Sequence, residues 1–226
     1  NGKQWLNENE FAKFIQNIEN YKKNNFSDEA YIQIFSFKGK KLSGDMSPNY
    51  HYLNQEDIKN IYNLLPDLKI IIILRNPIDR TWSEFNHYIR RKKLLNQNRE
   101  KYDEKIISDF MNTFSKNNLE VFINNNKNSK FFFPSKLEEK WSIFGKNIIF
   151  LDFNLIVNNP NKVVRDVLFF LKNEALNIPK NFSIKNNKEN KLKKTIDQKS
   201  KEFLNDYFYD DIKLCKKLYP EISKNW

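Results

Sequence analysis

The chain has 226 residues, 39% hydrophobic and 15% aromatic, enough for one α/β domain with a sizeable core or at most two small ones, and too apolar for a disordered chain. A formal net charge of +11 favours an anionic partner, although a chain this crowded with Lys and Asn explains much of the excess as solvated lysine. The single cysteine, Cys215, excludes an internal disulfide framework and a cysteine zinc cluster and fits a reducing, cytoplasmic setting; no 18-residue apolar run exists to span a membrane.

The opening NGKQWLNENEF lacks the charge-then-apolar plan of a signal peptide. The next segment sets Phe11, Phe14, Ile15 and Ile18 on one helical face, with Asn7 or Asn9 as its cap. DEAYIQIFSF (28–37) fits strand or helix, and a short helix is preferred. A short strand is expected at 41–43, breaking at Gly44, followed by a loop fixed by Pro48. Asn54 then caps a helix carrying Ile58, Ile61 and Leu64.

The run 68–74 reads as a strand buried on both faces, as parallel sheets contain. Pro77 starts a helix over 77–94, and the basic Arg90, Arg91, Lys92 and Lys93 suit its C-terminal dipole. Helical patterns follow at 104–117 and 118–125. A helix over 135–145 stops at Gly145. A second buried strand spans 147–153, and a helix capped near Asn159 begins at Pro160. Residues 173–194 form a long basic loop. A last helix carries Phe203, Leu204, Tyr207 and Phe208 on one side. Strands alternating with helices, without hairpin signals, predict an α/β domain with a short parallel sheet flanked by helices and right-handed crossovers.

Chemistry concentrates at the end of the first strand. Ligands of open parallel sheets bind beyond the carboxyl ends of strands, where helix N-termini offer free N–H groups. Arg75 stands at that end and can grip a phosphate through two parallel hydrogen bonds, with Ser83 adding one from the following helix. A structural Arg75 paired with Asp79 or Glu84, with Ser83 facing solvent, fits the same residues.

The segment LRNPIDRTWS resembles the L-R-N-P-x-x-R-x-x-S segment of sulfotransferases that use PAPS (3′-phosphoadenosine 5′-phosphosulfate). Arg75, Asn76, Pro77, Arg80 and Ser83 match as they stand. The rest of the chain agrees in order. GKKLSGDMSPNYHYL resembles the family's G-E-K-[TS]-P-x-Y segment, KLEEKWSIFGKNIIFLDF its later helix and strand, and the closing Ser223 and Trp226 its terminal Ser-x-x-Trp.

The resemblance, closest to bacterial and heparan-sulfate-type members, implies a P-loop-kinase-like, three-layer α/β domain spanning 1–226. It implies transfer of a sulfuryl group from PAPS to a hydroxyl or amine, most simply of a carbohydrate or small molecule, without a metal. Arg75 and Ser83 would bind the 3′-phosphate. Lys188 and Lys191 fall where family members wrap the same end of the cofactor. No nucleic-acid recognition motif appears.

The chain also departs from the family. The Lys-x-Gly-[Thr/Ser] turn that cradles the 5′-phosphosulfate is absent, as is the Glu base after it, and both are expected upstream of residue 1. Asp45 and Met46 stand where relatives carry Glu and Lys. That leaves Asp45 and His51 as candidates for base or substrate work. His87, one turn after Ser83, reads as a packing residue. The rival readings are a noncatalytic nucleotide- or glycan-binding member of the same fold, which Met46 favours, and a kinase, which the missing Walker-type loop opposes.

Overall fold

The computed structural model describes residues 8–25, 27–36, 42–47, 50, 52–94, 114–126, 133–172 and 194–226. These fall into two compact units, Asn1–Leu53 and Asn54–Trp226.

In the first unit, α1 (Glu8–Lys23) packs on α2 (Asp28–Ile34). Acidic Glu8 and Glu10 open α1 and basic Lys22 and Lys23 close it, both complementing the helix dipole. Asn9, offered as a cap, lies inside the helix. Ser27 caps α2 by accepting from the Ala30 N–H at 3.3 Å, and the ambiguous segment is helical over Asp28–Ile34. The short strand expected at 41–43 is not formed at 42 and 43, and the backbone is irregular from 42 to 47. Leu42 is exposed there, and among the described residues of this unit no neighbouring strand could pair its backbone groups.

The second unit begins with α3 (Gln55–Leu64). Its capping box is reciprocal: the Asp57 N–H donates to Asn54 at 2.8 Å and the Asn54 N–H donates to Asp57 at 3.2 Å. Strand β1 (Ile70–Leu74) leads into α4 (Pro77–Leu94), and α5 (Lys116–Asn126) follows. The expected 135–145 helix is a composite: a 3₁₀ turn (Pro134–Lys136), α6 (Leu137–Trp141), then a second 3₁₀ segment (Ser142–Asn147). Gly145 kinks this last segment with φ +48°, a conformation that glycine adopts without a Cβ penalty. Strand β2 (Ile148–Asp152) runs directly into α7 (Phe153–Asn158). Asn159 then caps α8 (Pro160–Phe170), with Pro160 in the first position as expected.

The expected terminal helix is broken into three: α9 (Gln198–Tyr207), α10 (Tyr209–Leu218) and α11 (Pro220–Ser223). Pro220 lacks an N–H and pushes Tyr219 out of the helical region, to φ −132° and ψ 59°. Buried Asp211 ties α10 to the turn at Pro134–Lys136 by accepting from the Ser135 N–H at 3.2 Å and from the Ser135 hydroxyl. Burial raises the Asp211 carboxyl and pushes the neighbouring Cys215 thiol up to about 12, so this cysteine stays a neutral packing group.

Strands β1 and β2 pair in parallel, in register from Ile70 opposite Ile148 to Leu74 opposite Asp152. The expectation of burial on both faces fails for β1. Leu74 is buried and Ile70 and Ile72 are half-buried, but Ile71 and Ile73 are 42% and 50% exposed. Alternate side chains leave opposite faces of a strand, and among the described residues this sheet has two strands with one face covered. An unbroken apolar run has no period that could reveal this in advance.

The core sits against α4. Ile78, Trp82, Phe85 and Ile89 form one stripe at helical spacing and join Phe114, Leu119, Phe122, Ile123, Leu204 and Phe208. Phe85 is fully buried and meets Phe114 edge-on at 5.5 Å between ring centroids. The helix that follows Arg75 is therefore anchored in the core of this unit.

Candidate functional site

The strand-to-helix turn is built from short-range chemistry. Asn76 precedes α4 and caps it: its Oδ1 accepts from the Ile78 N–H at 2.9 Å, and its carbonyl accepts from the Arg80 N–H at 3.0 Å. Pro77 occupies the first helical position, where no N–H is needed. Buried Pro77 and Ile78 then fix the angle at which α4 leaves β1.

Arg75 is half-buried at the carboxyl end of β1. The paired register ends at Leu74 opposite Asp152, and the next residue after β2 is Phe153, the first of α7. The Arg75 guanidinium carbon lies 4.6 Å from the Phe153 ring centroid. Among the described residues Arg75 forms neither a hydrogen bond nor an ion pair; Asp79 acts on it only at longer range. Burial lowers its pKa and the Asp79 charge opposes that, but a guanidinium remains protonated throughout the physiological range. The alternative of an Arg75 locked to Asp79 or Glu84 is thus not what the structure shows. The guanidinium lies over an aromatic ring, with no hydrogen bond or ion pair among the described residues.

Ser83 lies on α4, half-buried, with no hydrogen bond among the described residues. Its neighbours Trp82 and Asn86 do more than the sequence reading anticipated. Trp82 Nε1 donates to the Lys194 carbonyl at 2.8 Å, and Asn86 Oδ1 accepts from the Lys194 N–H at 3.0 Å. Asn86 Nδ2 also donates to the Trp82 carbonyl at 2.8 Å. The far end of the basic stretch is thereby fastened to α4 on either side of Ser83. An Asn within the apolar stripe of a helix was the available signal, because a buried amide needs partners.

Lys188, Lys191 and His51 lie outside the described residues. His87, read as a packing residue, is exposed, since it falls on the outer side of the α4 stripe.

Asp45 belongs to the first unit and is exposed. Its Oδ2 accepts from the Tyr31 hydroxyl at 3.0 Å and from the Tyr50 hydroxyl. Burial, followed by hydrogen bonding to Asp45, raises the Tyr50 phenol, and burial is also the largest cause of the upward shift at Tyr31. Both phenols therefore stay protonated donors. Tyr31 is held by edge-on contacts with Tyr21 at 5.9 Å and Phe35 at 5.5 Å. The sequence reading found Asp45 but not its two phenol partners, one of which arrives from α2. Met46 is 92% exposed.

A family model of the sulfotransferase domain matches residues 58–211, a span that includes Arg75 through Ser83 and excludes Asp45. The crystal structure of a sulfotransferase from Alicyclobacillus acidocaldarius is similar with a TM-score of 0.57 and 22% identity, over 85% of this chain and 70% of that one. No curated protein matches the chain. The family match spans well over half of the chain, so the protein belongs to the sulfotransferase domain family. That membership makes it a transferase of the sulfuryl-transfer class, and the resemblance first read from LRNPIDRTWS is borne out.

Proposed function

We propose that this protein is a PAPS-dependent sulfotransferase whose 3′-phosphate subsite is the β1–α4 turn. The observation carrying this reading is Arg75: half-buried, over the Phe153 ring, and free of any acidic partner in hydrogen-bond reach among the described residues. A desolvated guanidinium with uncommitted donors at a helix N-terminus suits a phosphate, which supplies two parallel acceptors. PAPS, when bound, supplies the sulfuryl group and leaves as adenosine 3′,5′-bisphosphate.

The chain's own residues divide the remaining work. Arg75 grips the terminal phosphate oxygens, and Ser83 contributes one hydroxyl hydrogen bond. Trp82 and Asn86 hold the Lys194 peptide, and Lys188 and Lys191 are assigned to the same phosphate by their place in the family pattern. Asp45 keeps Oδ1 available to accept a proton from an acceptor hydroxyl while two phenols orient Oδ2, and His51 is the second candidate for that role. The expected acceptor is a carbohydrate or small molecule. The wider fold is read as the P-loop-kinase-like, three-layer kind, in a reducing compartment such as the cytoplasm.

A second reading, a noncatalytic nucleotide- or glycan-binding member, is favoured by Met46. It presents an exposed thioether where a cation would be expected.

The test is a thermal shift of the natural full-length protein with adenosine 3′,5′-bisphosphate, alongside labelled sulfate transfer from PAPS to an acceptor panel. A raised melting temperature that Arg75→Ala removes supports the site. Absence of any shift overturns it, and a shift without transfer selects the noncatalytic reading.

A further inference from the structure

The opposite end of the same two strands carries a second cluster of cations. Lys69 immediately precedes β1, Lys146 lies in the turn that leads into β2, and Lys172 follows the end of α8. With Phe169 and Phe170 they line a hollow of about 500 Å³, within the size range of small-molecule sites. Six residue steps separate Lys69 from Arg75, roughly 20 Å along an extended strand. The hollow is therefore distinct from the phosphate clamp described above.

Its composition is selective. Among the described residues its lining side chains are three cations and two phenyl rings, and none of these can accept a hydrogen bond from a neutral hydroxyl. Most lysines of a +11 chain are merely solvated, and the negative end of the α8 dipole accounts for Lys172 alone. Three features go beyond that. Lys69 is fixed, with Nζ donating to Asn147 Oδ1 at 2.6 Å and lying 5.2 Å from the Phe170 ring centroid. Phe169 is 72% exposed, leaving a large apolar ring in water beside the cations. Lys172 holds φ +53°, a left-handed backbone that costs a β-carbon-bearing residue energy and that glycine would adopt freely.

We infer that this hollow binds an aromatic polyanion of the nucleoside di- or triphosphate kind. The ring would stack on Phe169, and the phosphates would be shared among Lys69, Lys146 and Lys172. Lysines act as point charges without a fixed fork, so they suit a chain of phosphates rather than one oriented group. Stacking on an exposed aromatic is tolerant of base identity. The site is independent of the sulfotransferase reading, because it shares no residue with the β1–α4 turn.

The experiment is titration of the full chain with ATP in EDTA, compared with tripolyphosphate and with adenosine. ATP is expected to bind at least tenfold more tightly than either. Lys146→Gln combined with Lys172→Gly should weaken ATP at least tenfold, and Phe169→Ala several-fold, while Arg75→Ala changes it less than twofold. All these side chains except Arg75 are exposed, and Lys172→Gly relieves the left-handed backbone, so unchanged or raised melting temperatures are expected for these variants. Three results would each overturn the inference: no ATP binding, equal binding of tripolyphosphate, or ATP binding lost in Arg75→Ala but kept in the lysine double variant. Failure of adenosine 3′,5′-bisphosphate to bind would leave this result readable, since the two sites report through different variants.

Discussion

The two ends of the β1–β2 pair handle positive charge in opposite ways. At the carboxyl end one guanidinium is half-buried, placed over the Phe153 ring, and followed by a helix whose apolar stripe belongs to the core. At the amino end three ammonium groups surround a hollow, two of them, Lys146 and Lys172, exposed, next to a phenyl ring that is mostly in solvent. A desolvated planar cation selects by geometry, whereas solvated point charges select by number and sign. One short sheet thus carries a directional anion site and a diffuse one.

The largest effect should come from undermining the carboxyl end through its core. Phe85→Ala removes a fully buried ring on the inner face of α4 and should cost about 3–5 kcal/mol, read as a lower denaturation midpoint. Arg75→Ala comes next: the thermal shift by adenosine 3′,5′-bisphosphate should largely vanish, with ATP binding at the amino end untouched. Arg75→Lys sharpens the contrast. It keeps the charge but loses the flat fork, and binding should still fall about tenfold, or about 1.4 kcal/mol. An Arg75→Lys variant that binds as well as the unaltered protein would erase the proposed difference between the two ends.

Asn86→Ala removes both partners that a buried amide supplies to Lys194 and Trp82, and should cost about 1–3 kcal/mol. Isothermal titration should show bisphosphate affinity falling with it, while ATP binding at the amino end holds. The smallest effect is a salt response. Raising ionic strength shortens the reach of exposed charges, so ATP affinity at the lysine hollow should fall more steeply with salt than bisphosphate affinity at half-buried Arg75. Equal slopes would mean that the two sites do not differ in exposure.

Much of the carboxyl end was legible because its determinants are local. Asn76, Pro77 and the helical stripe from Ile78 to Ile89 are consecutive, and each residue's propensity agrees with the next. The Asn54 and Asn159 caps and the Gly145 break were readable for the same reason. The errors have physical causes. The run Ile70–Leu74 is apolar at every position, so its sequence cannot say how many faces are covered. The terminal helical pattern continues through Tyr219, so the break there depended on the backbone restriction imposed by Pro220. Asp45 was visible as a lone carboxylate, but its phenol partner Tyr31 is fourteen residues away on α2.

By itself the sequence determined the α/β order of elements, the capped turn after Leu74, and the family to which that turn belongs, since these rest on neighbours along the chain. Only the tertiary structure decided that Arg75 lies on Phe153 rather than against Asp79, that Lys194 is clasped by Trp82 and Asn86, and that Lys69, Lys146 and Lys172 share one hollow. Each of those pairings joins residues from different elements. What selects them is the strand register and the packing of α4, and no local propensity encodes either.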